Sequence, residues 1–122
     1  MANPSDQWAV LAARAASSKK AIDPIILDVG DVLSITDSFV IVSAANTRQV
    51  RTIADEIELQ ITEAGGPKPL RIEGLDDLKW VLVDYGEFVI HVFLQETREY
   101  YELERLWSDV PRLEWAESLP TG

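Results

Sequence analysis

SFVIVSAANTRQVRTIADEIELQITEAGGP, residues 38–67, contains both halves of an α/β unit. SFVIVSA is a short, nearly continuous apolar run rich in β-branched residues, the pattern of a strand buried on both faces. Asn46, with Gln49 three residues later, resembles a capping box at a helix start. Behind it Val50, Ile53, Ala54, Ile57, Ile61 and Ala64 follow the i, i+3, i+4, i+7 spacing of one helical face. Arg51, Asp55, Glu56 and Glu58 fall on the other faces, and Gly65-Gly66-Pro67 stops the helix.

Upstream, residues 6–16 place Trp8, Leu11, Ala12 and Ala15 on one face of a first helix with Asp6 as its N-cap. SSKKAIDP interrupts it, because Pro24 disfavours helix at Asp23. IILDV (25–29) reads as a strand and PLRI (69–72) as a shorter one. A last helix is predicted over about 97–107, with Tyr100, Leu103 and Trp107 along a stripe. Residues 1–109 then form one domain, and 110–122 an extended tail that Trp115 docks somewhere. The sum is an α/β layer architecture, with about three helices on a mixed sheet of about five strands.

WVLVDYGEFVIHVF (80–93) is a hairpin. With Tyr85-Gly86 as the turn, Asp84 opposes Glu87, Leu82 opposes Val89 and Trp80 opposes His91. Alternation separates two faces. Val81, Val83, Phe88, Ile90 and Val92 make an apolar core face. The other face carries Trp80, Leu82, Asp84, Glu87, Val89, His91 and Phe93, apolar anchors among charges, as at protein interfaces. With Tyr85 at the turn, these are the candidate partner-binding residues. A competing expectation is that the first helix, through Trp8 and Leu11, covers this face instead. Opposed Asp84 and Glu87 repel and invite Lys or Arg from a partner.

Enzymatic readings are thin. His91 with Asp84 or Glu87 could act as an acid–base couple, but no motif marks a nucleophile. One histidine and scattered acids give no metal-ligand spacing, and GxxxxGK[ST] and GxGxxG are absent. Asp28, Asp31 and Asp37 could form paired carboxylates for Mg²⁺, although Asp beside Gly is ordinary turn chemistry. No cofactor is expected. Arg48 and Arg51 sit where the helix dipole disfavours cations, which suggests pairing with Asp55.

The 122 residues carry 21 acids against 11 bases, a net charge of −10. A broad nucleic-acid surface is therefore not expected; the acidity either steers in a basic protein partner or serves solubility alone. With no cysteine, no long apolar run and no signal-like start, the chain reads as cytoplasmic and unattached to membranes.

SITDSFVIVSAANTRQV, IADEIE, Glu73-Gly74, WVLVDYGEFVIHVF and YYELERLW, in this order over about residues 7–109, resemble the ribosomal silencing factor (RsfS, or Iojap) family. The finer resemblance is to its actinobacterial, mycobacterial-type version. Thr36, Asp37, Arg48, Gln49, Glu73, Gly74, Trp80, Asp84, Gly86, His91, Arg98, Glu104 and Trp107 match the pattern. Ser43-Ala44 in place of Ser-Gly, Ser38 in place of an aromatic, the DLK before Trp80 and the long tail depart from it. The resemblance implies a nucleotidyltransferase-like fold without catalytic machinery; the competing expectation is a nucleotidyltransferase-like enzyme using Asp28, Asp31 or Asp37. The resemblance also implies binding to the fourteenth protein of the large ribosomal subunit, a block on joining with the small subunit, repression of translation under nutrient limitation, and a homodimer when free.

Overall fold

A computed structural model describes residues 5–116. In chain order the elements are α1 (Asp6–Ser18), β1 (Ile22–Asp28), β2 (Ser38–Ala44), α2 (Thr47–Glu63), β3 (Arg71–Glu73), β4 (Trp80–Asp84), β5 (Phe88–Leu94), α3 (Gln95–Tyr101), a 3₁₀ helix (Leu103–Trp107) and β6 (Arg112–Leu113). The sheet runs β3-β4-β5-β2-β1-β6, and every neighbouring pair is antiparallel except β2 and β5. The fold is thus α/β, with three helices and a mixed sheet of six strands rather than five. The sixth, β6, lies in the stretch expected to be tail.

β2 occupies the middle of the sheet and is buried along nearly its whole length, as its unbroken apolar run requires. Its even-numbered residues Val40 and Val42 face α1 and α2, together with Ile26, Val81, Val83, Phe88, Ile90 and Val92. Ile41 points the other way and packs with Ile25, Leu27, Val29 and Phe93.

α2 begins where the cap predicts. Asn46 Oδ1 accepts from the Gln49 backbone N–H at 2.9 Å. The Gln49 carboxamide accepts from Ala45 N–H at 2.8 Å and donates to the Lys19 and Lys20 carbonyls, so one side chain joins two helix ends. Gly65, at φ +83°, ends the helix.

Four local expectations are corrected. Ser5, not Asp6, stands at the N-cap of α1, and its hydroxyl donates to Asp37 Oδ2 at 2.9 Å instead of capping the helix. Pro24 lies within β1, tolerated because a bulge between Ile22 and Ile25 takes up the irregularity. Trp8 and Leu11 pack on the α1–α2 side, so α1 does not cover the mixed face of the hairpin. The last helix breaks after Tyr101, where Glu102 adopts a left-handed conformation (φ 48°, ψ 48°), and it resumes as a 3₁₀ turn.

The chain beyond residue 109 returns along the sheet. β6 pairs with Ile26 and Leu27 of β1. The Trp115 indole N–H donates to the Pro24 carbonyl at 2.8 Å, and Arg14 donates to the Trp115 carbonyl at 2.7 Å. Trp115→Ala should cost about 2–3 kcal/mol in urea denaturation, and a chain ending at Asp109 should lose more, because it also strips β6 from β1. Unchanged stability in the shortened chain would contradict this account.

Candidate protein-docking face

The hairpin register differs from the expected one. Tyr85 N–H donates to the Phe88 carbonyl at 3.0 Å, so Gly86-Glu87, not Tyr85-Gly86, forms the turn. Gly86 supplies the positive φ, +87°, and Asp84 Oδ1 accepts its N–H at 2.8 Å. The pairs are therefore Trp80 with Phe93, Leu82 with His91 and Asp84 with Val89. Moving the turn by one residue shifts each partner by two, and a shift of two leaves every side chain on its original face.

Two site expectations change in consequence. Asp84 does not oppose Glu87; it pairs with Arg71 at 3.3 Å while Glu87 stands exposed at the turn. Tyr85 shares its parity with Val81 and Val83 and so points to the helix side. There it is buried, with its ring stacked on Phe88 at 4.5 Å. Burial, reinforced by the Glu58 charge, pushes its hydroxyl pKa up to about 12.

The mixed face brings Trp80, Leu82, Asp84, Val89, His91 and Phe93 together. Phe93 is fully buried and His91 nearly so, whereas Trp80, Leu82, Asp84 and Val89 are half-buried. Trp80 lies over Phe93, with ring centroids 4.8 Å apart. Its indole N–H donates to His91 Nδ1 at 3.1 Å, which puts the proton of the neutral imidazole on Nε2. Phe39 meets the imidazole edge-on at 5.0 Å, and Trp107 then meets Phe39 at 5.6 Å. His91 is thus an apolar-packed shelf under Trp80, not one half of an acid–base couple.

Trp107, Leu103 and Val110 cover the half of this face nearest β1. Over β4 and β5 the face stays open as a groove of about 360 Å³, lined by Leu33, Phe39, Leu82, Val89 and His91 and rimmed by Asp84 and Arg71. Ile35 and Leu70 stand over it, 83% and 74% exposed. Ile35 lies outside every predicted element, and Leu70 belongs to the short PLRI run, whose length is too small to show which face it presents.

A buried cation fixes the end of the sheet beside this face. Arg98, 5% exposed, grips Glu104 through a 2.7 Å contact and donates to the Ile22 carbonyl and to Ser43 Oγ. Gln95 meets Ser43 as well. At roughly 100° per residue, positions six apart in one helix face different directions. The break at Glu102 is what allows Glu104 to return to Arg98. Gly74 sets the start of β4: at φ +92° a Cβ there would lie 2.0 Å from the Trp80 carbonyl oxygen.

Of the three acids that could bind Mg²⁺, Asp28 and Asp37 serve local structure. Asp28 Oδ1 accepts the Gly30 N–H at 3.3 Å in a turn, and Asp37 holds Ser5. No three His, Asp or Glu groups come together as a metal site among the described residues. Arg51 pairs with Asp55 at 3.3 Å, as its place in the first turns suggested. No helix among the described residues is long and apolar enough to cross a membrane.

Fold and surface together define a mixed-sheet α/β protein whose distinctive feature is one half-open, apolar sheet face with a charged rim. The sequence profile of the family described as "Ribosomal silencing factor during starvation" matches residues 2–121. The chain belongs to this ribosomal silencing factor family. It is 42% identical over 101 residues to the Bacillus subtilis protein named ribosomal silencing factor RsfS, covering 83% of this chain and 85% of that one. It is 36% identical over 92 residues to mouse mitochondrial assembly of ribosomal large subunit protein 1, covering 74% of this chain and 40% of the mouse protein. A crystal structure of a Chromobacterium violaceum protein superposes with a TM-score of 0.80 at 30% identity and covers 95% of each chain.

The His91 environment predicts a pH dependence. Burial lowers its pKa from 6.5 to about 4, partly opposed by the Asp84 charge. The unfolded chain therefore takes up a proton more readily between these values. The His91 contribution to stability is nearly constant above pH 6.5, falls as the pH drops toward 4, and levels off below that. Between pH 7.5 and 5 the loss should be about 2 kcal/mol greater than in His91→Asn, as read by denaturant unfolding. Parallel pH profiles for the two proteins would contradict the assignment.

Proposed function

We propose that this chain is a translational repressor acting in the cytoplasm by occlusion. It binds the large ribosomal subunit through the fourteenth protein of that subunit, a basic protein, and blocks joining with the small subunit when nutrients are scarce. Membership of the silencing factor family supports the ribosomal target. The observation that carries the docking mode is the half-covered face, with Trp80 seated on Phe93 and His91 beside an open apolar groove. Charge agrees: a chain at −10 suits a basic protein better than an RNA backbone. The mouse relative, by its name, takes part in large-subunit assembly, and a factor held on the large subunit fits that role too. We read the free chain as a homodimer that hides the same face, since an apolar groove of this kind is seldom left in water. The actinobacterial, mycobacterial-type affinity rests on the sequence resemblance.

Co-sedimentation with isolated large and small subunits tests this reading. The chain should travel with large subunits alone. Trp80→Ala should remain folded, although destabilised by about 2–3 kcal/mol, and its capture should weaken by about thirtyfold or more. A folded Trp80→Ala chain that still sediments normally with large subunits would rule out the docking face.

Electrostatic steering is tested at Glu87, which is exposed, whereas Asp84 is engaged by Arg71 and by the turn. Glu87→Gln should slow association with large subunits and flatten its dependence on salt, with little effect on dissociation. An unchanged association rate at low ionic strength would count against steering by this acid.

A further inference from the structure

At the end of β4 remote from its turn, a second cleft of about 490 Å³ opens between Trp80 and α3. Tyr100, Tyr101 and Trp80 line it, Asp77 and Glu96 are its acids, and Lys79 is the one base among its lining residues. The three rings form a continuous aromatic step. Trp80 and Tyr101 lie 5.2 Å apart, and Tyr100 meets Tyr101 edge-on at 5.0 Å. Even so, Tyr100 is 80% exposed and Tyr101 55%.

The step is rigidly supported from behind. Arg98, on the same short helix, is locked to Glu104, Ser43 and the Ile22 carbonyl. The helix backbone that carries the tyrosines is therefore anchored to the sheet before a ligand arrives, which lowers the entropic cost of binding.

The chemistry of the cleft selects its ligand. Aromatic faces carry negative potential, and two carboxylates add to it. A purely apolar group would desolvate Asp77 and Glu96 without giving them a partner, and an acid would be repelled. A nucleic-acid strand could stack on the tyrosines, but it would bring phosphates against the carboxylates. A guanidinium or ammonium group on an alkyl stem satisfies both features. We infer that this cleft receives an arginine or lysine side chain from a basic protein partner, held against Tyr101 and Trp80 and within reach of Asp77 or Glu96. The inference rests on the docking reading above and adds a second, cation-selective contact on the far side of Trp80 from the apolar groove.

The test is a titration of the intact chain with a blocked peptide of alternating arginine and glycine. Nuclear magnetic resonance would follow the Trp80 indole N–H and the Tyr101 ring, with a glutamine-for-arginine peptide and oligouridylate as comparisons. The arginine peptide should move both signals saturably, and the comparisons should not. Tyr101→Phe should bind as the parent does, Tyr101→Leu should bind about tenfold more weakly, and Lys79→Glu should bind more tightly. Tyr100→Leu, at a more exposed position, should also weaken binding and stands in if Tyr101→Leu fails to fold. Equal shifts with the glutamine peptide, saturable shifts with oligouridylate, or unchanged affinity in the leucine variants would overturn the inference. No ribosome enters the titration, so it can fail while large-subunit capture stands, and the reverse.

Discussion

The burial of β2 on both faces is the constraint from which the rest of the molecule follows. Val40 and Val42 on one side and Ile41 on the other are inaccessible to water, so the sheet needs cover above and below. One cover is generous: α1 and α2 lay Ala9, Ala12, Val50, Ile53 and Ile57 across β1, β2, β4 and β5. Among the described residues no comparable helix covers the other side. A five-residue 3₁₀ helix and the segment after it cover only the part near β1, through Leu103, Trp107 and Val110. What remains open over β4 and β5 is the surface on which the functional reading rests.

That partial cover depends on one buried ion pair. Arg98 loses its hydration in a position where Glu104, two oxygen acceptors and a longer 3.6 Å contact with the exposed Asp23 carboxylate compensate it. Removing Glu104 would leave a buried guanidinium short of partners, a far larger loss than that of a surface pair. The pair also decides the path of the chain. It forces the turn at Glu102, and that turn directs Leu103 and Trp107 inward while leaving Tyr100 and Tyr101 on the outside.

His91 shows how a polar residue is adapted to an apolar shelf. Nδ1 accepts from Trp80, aromatic rings enclose the imidazole, and burial keeps it neutral well below the usual range. In that state it orients the Trp80 indole beside the open groove. A charged imidazole would need a counter-ion, and the nearest acid, Asp84, is already engaged by Arg71 and the turn.

The sequence by itself determined the elements and most of their faces. The apolar period of α2, its Asn46–Gln49 cap, its glycine stop and the unbroken run of β2 each follow from local chemistry. The two faces of the β4–β5 hairpin came out right even though the turn was misplaced. Gly86 marks a positive φ but not which turn position it fills, and a two-residue shift of partners preserves side-chain parity. Four things were decided only by tertiary structure. They are the break at Glu102, the inward place of Tyr85, the pairing of β6 with β1, and the side of the sheet on which α1 lies. Each depends on a partner distant in sequence: Arg98 reaching Ile22 and Ser43, Tyr85 set beneath α2, Trp115 bonded to Pro24, and α1 packed against α2. Local propensity contains no record of such partners. They exist only once the sheet has brought remote segments together and water has been excluded between them.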